Sequence, residues 1–351
     1  MKAIQFNPKY NIRESNAELL RIICMLMIVM HHFLVHGLFP ETFDPAVPLT
    51  TVKKISIVLN GFLSVGVNCF VLISGYYSIR FKWKGLLNLY FTCFFYGLLG
   101  YCIYIIVGHH PIGGGLLWNS VFIFSHSGWW FINCYLILFL MSPLLNAGME
   151  HLDKKQYQLV LCLLTIANVY FGYIWKTDSF NTTGYTAAQF VYVYLIGGYI
   201  SRYVKWNERD KVRRCSLSIY VFAVLLWGCL SVLNYYYPFG YVDYVYNNPF
   251  ILIASIAFFI GFMTLKFKSP FINWLATGCI AAYLLQDHPL LRQFLYPQIK
   301  FMFGDMALFV KLLLCVFVSC SFIVVVFLFD KIRQFIQDKL LAIVEKRVIN
   351  R

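Results

Sequence analysis

Long apolar runs separated by short polar stretches recur along the whole chain. A helix needs about 20 mainly apolar residues to cross the hydrocarbon core of a bilayer. Ten runs reach or approach that length: 19–37, 55–75, 86–107, 129–147, 157–175, 187–204, 215–235, 249–266, 272–286 and 307–329. Residues 116–124 are apolar but too short to span, which suits a re-entrant or interfacial segment. No connecting stretch exceeds about 20 residues, so no separate soluble domain can fold between the spans. The pattern predicts an all-α integral membrane protein forming a single domain over 1–351. About ten transmembrane helices lie between residues 19 and 329, and a tail covers 330–351.

The distribution of charge orients these spans. With the N-terminus in the cytoplasm, 22 of the 29 Lys and Arg residues fall on inner segments, six fall on outer segments, and Arg21 lies in the first span. Cytoplasmic loops carry such an excess, so both termini are expected inside and the span number is expected to be even. Trp118, Trp129, Trp175 and Trp206 fall near span ends, where amphipathic rings prefer to sit. The tail alternates apolar residues (Ile332, Phe335, Ile336, Leu340, Ile343, Val344) with basic ones, a pattern suited to an interfacial helix on the inner leaflet.

Composition agrees with this reading. The chain is 60% hydrophobic and 13% charged, about half the charged share of a soluble domain. Its net charge of +14 is explained by lipid-facing and cytoplasmic cations, without nucleic acid as a partner. The eleven cysteines form no CxxC pair and suggest neither a disulfide framework nor a metal site. A polar N-terminal stretch leads directly into a full-length span, so no cleaved signal is expected. The expected location is the inner (plasma) membrane, with multiple passes.

Candidate chemistry begins in the first span, "AELLRIICMLMIVMHHFLVHG". Ionisable groups in hydrocarbon are costly and mark functional sites or buried pairs. Arg21 and His32 are eleven residues apart, which on a helix is three turns plus about 20° and a rise of about 16.5 Å. Their side chains therefore share a face. His31 points about 100° away, and His36 lies about 40° from His32, one turn further on. An inner cation aligned with a deep imidazole outlines a slot for a long, thin anion such as acetyl-coenzyme A. Imidazole suits acyl transfer to a hydroxyl, because its pKa lies near neutrality. The alternatives are a snorkelling arginine and histidines that bridge helices. At the end of the second span stand Ser74, Gly75 and then Arg80, Lys82 and Lys84. These cations are either inner-leaflet anchors or a phosphate site, and spacing does not decide between them. Trp130 and Tyr135 are aromatic candidates for the outer mouth or cavity wall, or else core residues.

Five elements, in order, resemble the membrane-bound acyltransferase family 3, in particular the bacterial polysaccharide O-acetyltransferases. They are "ELLRIICMLMIVMHH", with its R-X10-H spacing, "FVLISGYY", "GWWFINCYLILFLMSPLLN", "FVYVYLIGGYI" and "AAYLLQDHPLLR". The resemblance implies that His32 is catalytic and that Arg21 helps to hold acyl-CoA from the cytoplasmic side. Ser74, Arg80, Lys82 and Lys84 would assist the donor, although the family has arginines where two of these are lysines. Asp287 is retained in the late element, whereas Gln286 stands where the family often has histidine. His36, Trp130, Tyr135 and Asp287 are supporting or acceptor-side candidates.

The expected function is transfer of an acetyl or other short acyl group from cytoplasmic acyl-CoA to a sugar hydroxyl. The acceptor would be a cell-surface polysaccharide or its lipid-linked precursor. Acetyl-CoA would be a donor substrate, with no permanently bound cofactor and no metal. The lipid bilayer is the other expected partner, and homo-oligomerisation is left open. The rival readings are a transporter or flippase for lipid-linked oligosaccharide and a membrane scaffold. A unique cysteine placed in the 205–214 loop is expected to be labelled from the cytoplasm. Labelling by an impermeant reagent in intact cells would invert the topology.

Overall fold

The computed structural model describes residues 14–349 except 45, 109, 127, 178–179 and 239–243, and describes the backbone alone at 126 and 340–349. The polar N-terminal stretch, with Lys2, Lys9 and Arg13, lies outside the described residues, as does Arg351. Helices account for 80% of the described residues, and no strand occurs among them, so the fold is all-α.

Helix α1 (Ser15–His32) runs on into a π-helical turn, Phe33–Leu38. It is followed by α2 (Thr51–Leu63), α3 (Gly66–Tyr77), α4 (Trp83–Gly108), α5 (Gly114–Val121) and α6 (Ile123–His126). Next come α7 (Trp130–His151), α8 (Lys154–Thr165) with its π-helical extension Ile166–Ile174, α9 (Ala187–Tyr203) and α10 (Arg209–Tyr236). The last third holds α11 (Pro249–Met263), α12 (Pro270–Leu275), α13 (Cys279–Gln286), α14 (Pro289–Phe303) and α15 (Leu308–Ile349).

Every expected span coincides with helix, but the spans are not alike. Seven helical segments among the described residues are long and apolar enough to cross a membrane. The other three expected spans are α9, with 17 residues, α11, with 15, and the broken α12–α13 segment. The segment 272–286 is thus not one continuous helix. A 3₁₀ turn at Ala276–Gly278 interrupts it where α15 crosses. A Cβ on Gly278 would lie 3.0 Å from the Phe327 Cα.

Two further expectations change. The stretch after 287, read as an outer loop, contains α14. His288 caps this helix by accepting from the Leu290 N–H at 3.2 Å, and Pro289 occupies its first turn. The tail does not break from the last span at residue 330, because α15 continues to Ile349. The reason lies in buried polar groups at that point. Arg333 pairs with Asp330 and donates from Nη1 to Thr92 Oγ1 at 3.0 Å. Tyr96 Oη donates to Asp330 at 2.9 Å. These bonds tie α15 to α4 and account for a carboxylate and a guanidinium that are both buried.

Helix α1 is central, packing against α3, α11, α12, α13 and α15. Its Leu20, Cys24 and Val29 are fully enclosed. Helix α3 in turn lies directly on α9. In lipid, close packing of small residues replaces the hydrophobic drive that joins helices in water. Gly75 and Gly197 make that contact: a Cβ on Gly75 would stand 2.0 Å from the Tyr194 carbonyl oxygen, and one on Gly197 2.4 Å from that of Leu72. Tyr194 Oη also accepts from the Ile79 N–H at 2.9 Å and donates to Asn146 Oδ1 at 2.6 Å, pinning the end of α3.

Gly75→Ala is expected to destabilise the detergent-solubilised protein by at least about 1–3 kcal/mol, because backbone must move to admit the methyl group. Gly148→Ala, where a Cβ meets nothing within 4 Å, is expected to be neutral or stabilising by up to about 1 kcal/mol through helix propensity. Unfolding midpoints of the two variants check this. Equal midpoints would remove the close approach of α3 and α9.

Candidate active site

A cavity of about 660 Å³ lies along α1. Ala17, Glu18, Arg21, Met25, Ile28 and His32 of that helix line it, in steps of three and four residues that define one helical face. Arg21 and His32 therefore border the same space, separated by a helical rise of about 16.5 Å. Ser74 of α3 lines the cavity, as do Trp130 and Tyr135 of α7. Thr277 and Tyr283, from the broken α12–α13 segment, close another side.

The two ends differ in chemistry. Near the start of α1, Arg21 Nη1 donates to Glu18 Oε1 at 2.5 Å. The Glu18 side chain is 5% exposed and that of Arg21 28%. Spacing of i and i+3 brings them together, and each offsets the other's charge in a dry setting. Ser15 is the first residue of α1, and the Asn16 side chain accepts from the Ala17 N–H at 2.8 Å. Ser74 Oγ donates to the Phe70 carbonyl at 3.0 Å, so its free lone pairs are what it can offer a ligand.

At the other end, His32 is half-buried, and its Nδ1 is enclosed without a hydrogen-bond partner among the described residues. The Gln286 amide lies beside it. Gln286 Nε2 donates to Tyr296 Oη at 2.9 Å, while its Oε1 also lacks a partner among the described residues. An imidazole and an amide oxygen thus stand together at the position where the sequence departs from the family pattern. Aromatic rings surround this end. Trp130 stacks on Tyr246 with centroids 5.5 Å apart and an interplanar angle of 25°. Tyr246 also lines the cavity. Its backbone carbonyl accepts from Asn68 at 3.1 Å and from Gln189 at 2.9 Å, which fixes a loop residue to α3 and α9.

His31 has a different environment. It is buried, its Nδ1 lies 2.9 Å from Asn60 Oδ1 on α2, and its ring stacks on Tyr244 at 5.1 Å. The other candidates stand outside the cavity. His36 is exposed in the π-helical turn, with its ring 5.6 Å from that of His32. Asp287 is buried and pairs with Arg292 at 3.1 Å. Arg80, Lys82 and Lys84 are exposed and do not line the cavity. Glu18, Tyr246, Thr277 and Tyr283 are lining residues that sequence reasoning did not single out. Only Glu18 had a readable signal, its spacing from Arg21.

A bundle of apolar helices around a mostly apolar cavity that Glu18, Arg21 and His32 border defines a multi-pass membrane protein with a site inside the helix layer. The family model for the acyltransferase domain, acyltransferase family 3, matches residues 15–330, and the chain belongs to that family. It is a membrane acyltransferase. No curated protein and no solved structure matches the chain.

The His31 environment generates a stability prediction. His31→Ala leaves the buried Asn60 oxygen without its imidazole partner, so a loss of about 1–3 kcal/mol is expected. Chemical unfolding in detergent measures it. Wild-type stability in this variant would show that the His31–Asn60 bond contributes nothing.

Proposed function

We propose that this acyltransferase moves an acetyl or other short acyl group from cytoplasmic acyl-CoA to a sugar hydroxyl. The acceptor is a cell-surface polysaccharide or its lipid-linked precursor, and the enzyme works in the inner (plasma) membrane. The observation that carries the reading is the alignment of Arg21 and His32 along one face of α1, both bordering one elongated cavity. Such a space suits a donor whose charged end stays near the helix start while its thioester reaches the imidazole.

In this reading His32 is the catalytic base. It takes the proton of the acceptor hydroxyl as that oxygen attacks the thioester carbonyl. The carbon–sulfur bond then breaks, coenzyme A leaves as its thiolate, and the imidazolium supplies the proton that the thiol needs. In the same reading, the Gln286 amide beside the ring takes the N–H of the opposite ring nitrogen once the donor is bound. Arg21, held by Glu18, and Ser74 line the donor's path. Trp130 and Tyr246 both border the cavity, and aromatic rings are surfaces that sugar rings pack against, which supports a glycan acceptor. Tyr135 borders the same space from α7. Membership in an acyltransferase family favours this reading over a transporter for lipid-linked sugars.

Transfer of labelled acetyl from acetyl-CoA to envelope polysaccharide in membranes tests the proposal. His32→Ala is expected to lower the rate by at least about 10² to 10⁴, with acyl-CoA binding retained. His31→Ala is expected to remain active after normalisation to protein level. An active His32→Ala enzyme, or one that has lost donor binding instead of turnover, would remove His32 from the chemistry.

A further inference from the structure

The charge along the first cavity does not match the donor it would have to hold. Arg21 is the one cation lining it among the described residues, and Arg21 is paired with Glu18. Glu14 lines the same end. Among the described residues, two carboxylates against one guanidinium leave that mouth without net positive charge. Coenzyme A carries a pyrophosphate and a 3′-phosphate, and such groups need cations that outnumber nearby carboxylates.

That excess lies next door. A second cavity, of about 610 Å³, opens at the same end of α1. Glu14 and Tyr77 border both cavities, so the two share a wall. Arg209, at the start of α10, and Lys266 and Lys268, between α11 and α12, line the second cavity. None of the three forms an ion pair with a described residue. Glu14 is the one carboxylate lining the cavity among the described residues. Tyr76, Tyr77 and Trp206 add aromatic faces. The lysine-bearing segment is anchored to the start of α1 through polar groups of α1 itself. Asn16 Nδ2 donates to the Leu265 carbonyl at 3.0 Å, and Ser15 Oγ accepts from the Ser269 N–H at 2.7 Å. The cations are thereby fixed beside the helix that carries His32 while their charges stay available. Cations for phosphate oxygens and flat rings for a base are the two things a nucleotide requires.

We propose that this second cavity binds the nucleotide end of the donor, its adenosine 3′-phosphate and pyrophosphate. The inference rests on the reading of the donor as an acyl-CoA. The pantetheine arm then passes Glu14 and Tyr77 into the first cavity and carries the thioester along α1 towards His32. The Arg21–Glu18 pair lines the arm's path and offers hydrogen bonds to its amides, while Arg209, Lys266 and Lys268 hold the phosphates.

The test uses full-length protein in lipid nanodiscs, adenosine 3′,5′-bisphosphate as the binding probe, and acetyl-CoA and S-acetylpantetheine as donors. Lys266→Gln combined with Lys268→Gln changes only exposed side chains. It is expected to weaken binding of the bisphosphate roughly ten- to a hundredfold and to raise KM for acetyl-CoA in parallel. Turnover with S-acetylpantetheine, which lacks the nucleotide, is expected to match that of the wild type. Unchanged bisphosphate affinity in this variant overturns the subsite. So does loss of bisphosphate binding in Arg80→Gln/Lys82→Gln with retention in the Lys266/Lys268 variant. Failure of the wild-type protein to consume either thioester would instead overturn the acyl-CoA reading itself.

Discussion

Shielding the polar stripe of α1 is the constraint on which the structure turns. A guanidinium, a carboxylate and an imidazole along one otherwise apolar helix are tolerable in a membrane only if protein surrounds them. Helices α3, α7 and the α12–α13 segment do so, and the space they leave is the cavity. Other features serve that enclosure. Helix α3 is pressed into place from behind by α9 through Gly75 and Gly197. Tyr246 is held at the cavity wall by Asn68 and Gln189. At the start of α1, the Arg21–Glu18 pair removes the need for a lone buried charge.

The division of labour between adjacent histidines follows from the same geometry. One residue step turns a helix by about 100°, so His31 and His32 face different neighbours. His31 meets Asn60 and Tyr244 and helps to join α1 to α2. His32 meets the cavity and the Gln286 amide. The proposed base is the imidazole with one nitrogen enclosed and its ring at the cavity wall.

Much of this was legible in the sequence, because two signals are robust. Apolar runs of membrane length located the helices, and the eleven-residue step from Arg21 to His32 located one face. What was not legible depends on partners distant in sequence. The break at Ala276–Gly278 reflects α15 crossing at Phe327. Helix α14, with Pro289, Pro297, Arg292 and Lys300, has the composition of a loop, and only its packing beside the π-helical turn and α4 makes it a helix. Asp330 and Arg333 look like the start of a solvated tail until Tyr96 and Thr92 of α4 are brought to them. The second cavity draws on the starts of α1 and α10, the end of α3 and the segment after α11. No single stretch of sequence carries its signature. Arg80, Lys82 and Lys84 drew attention because they lie within five residues of one another, while Arg209, Lys266 and Lys268 converge only in the fold.

The central claim is that one donor molecule lies along α1, from the start of the helix to His32. A structure of the full-length protein in nanodiscs with a non-hydrolysable acetyl-CoA analogue tests it most directly. The analogue is expected to run through the α1 cavity, with its acyl carbonyl beside the His32 imidazole and its nucleotide at the Ser15 end of the helix. An analogue bound on the exposed surface at Arg80 and Lys82, or one whose acyl group ends away from His32, would contradict it.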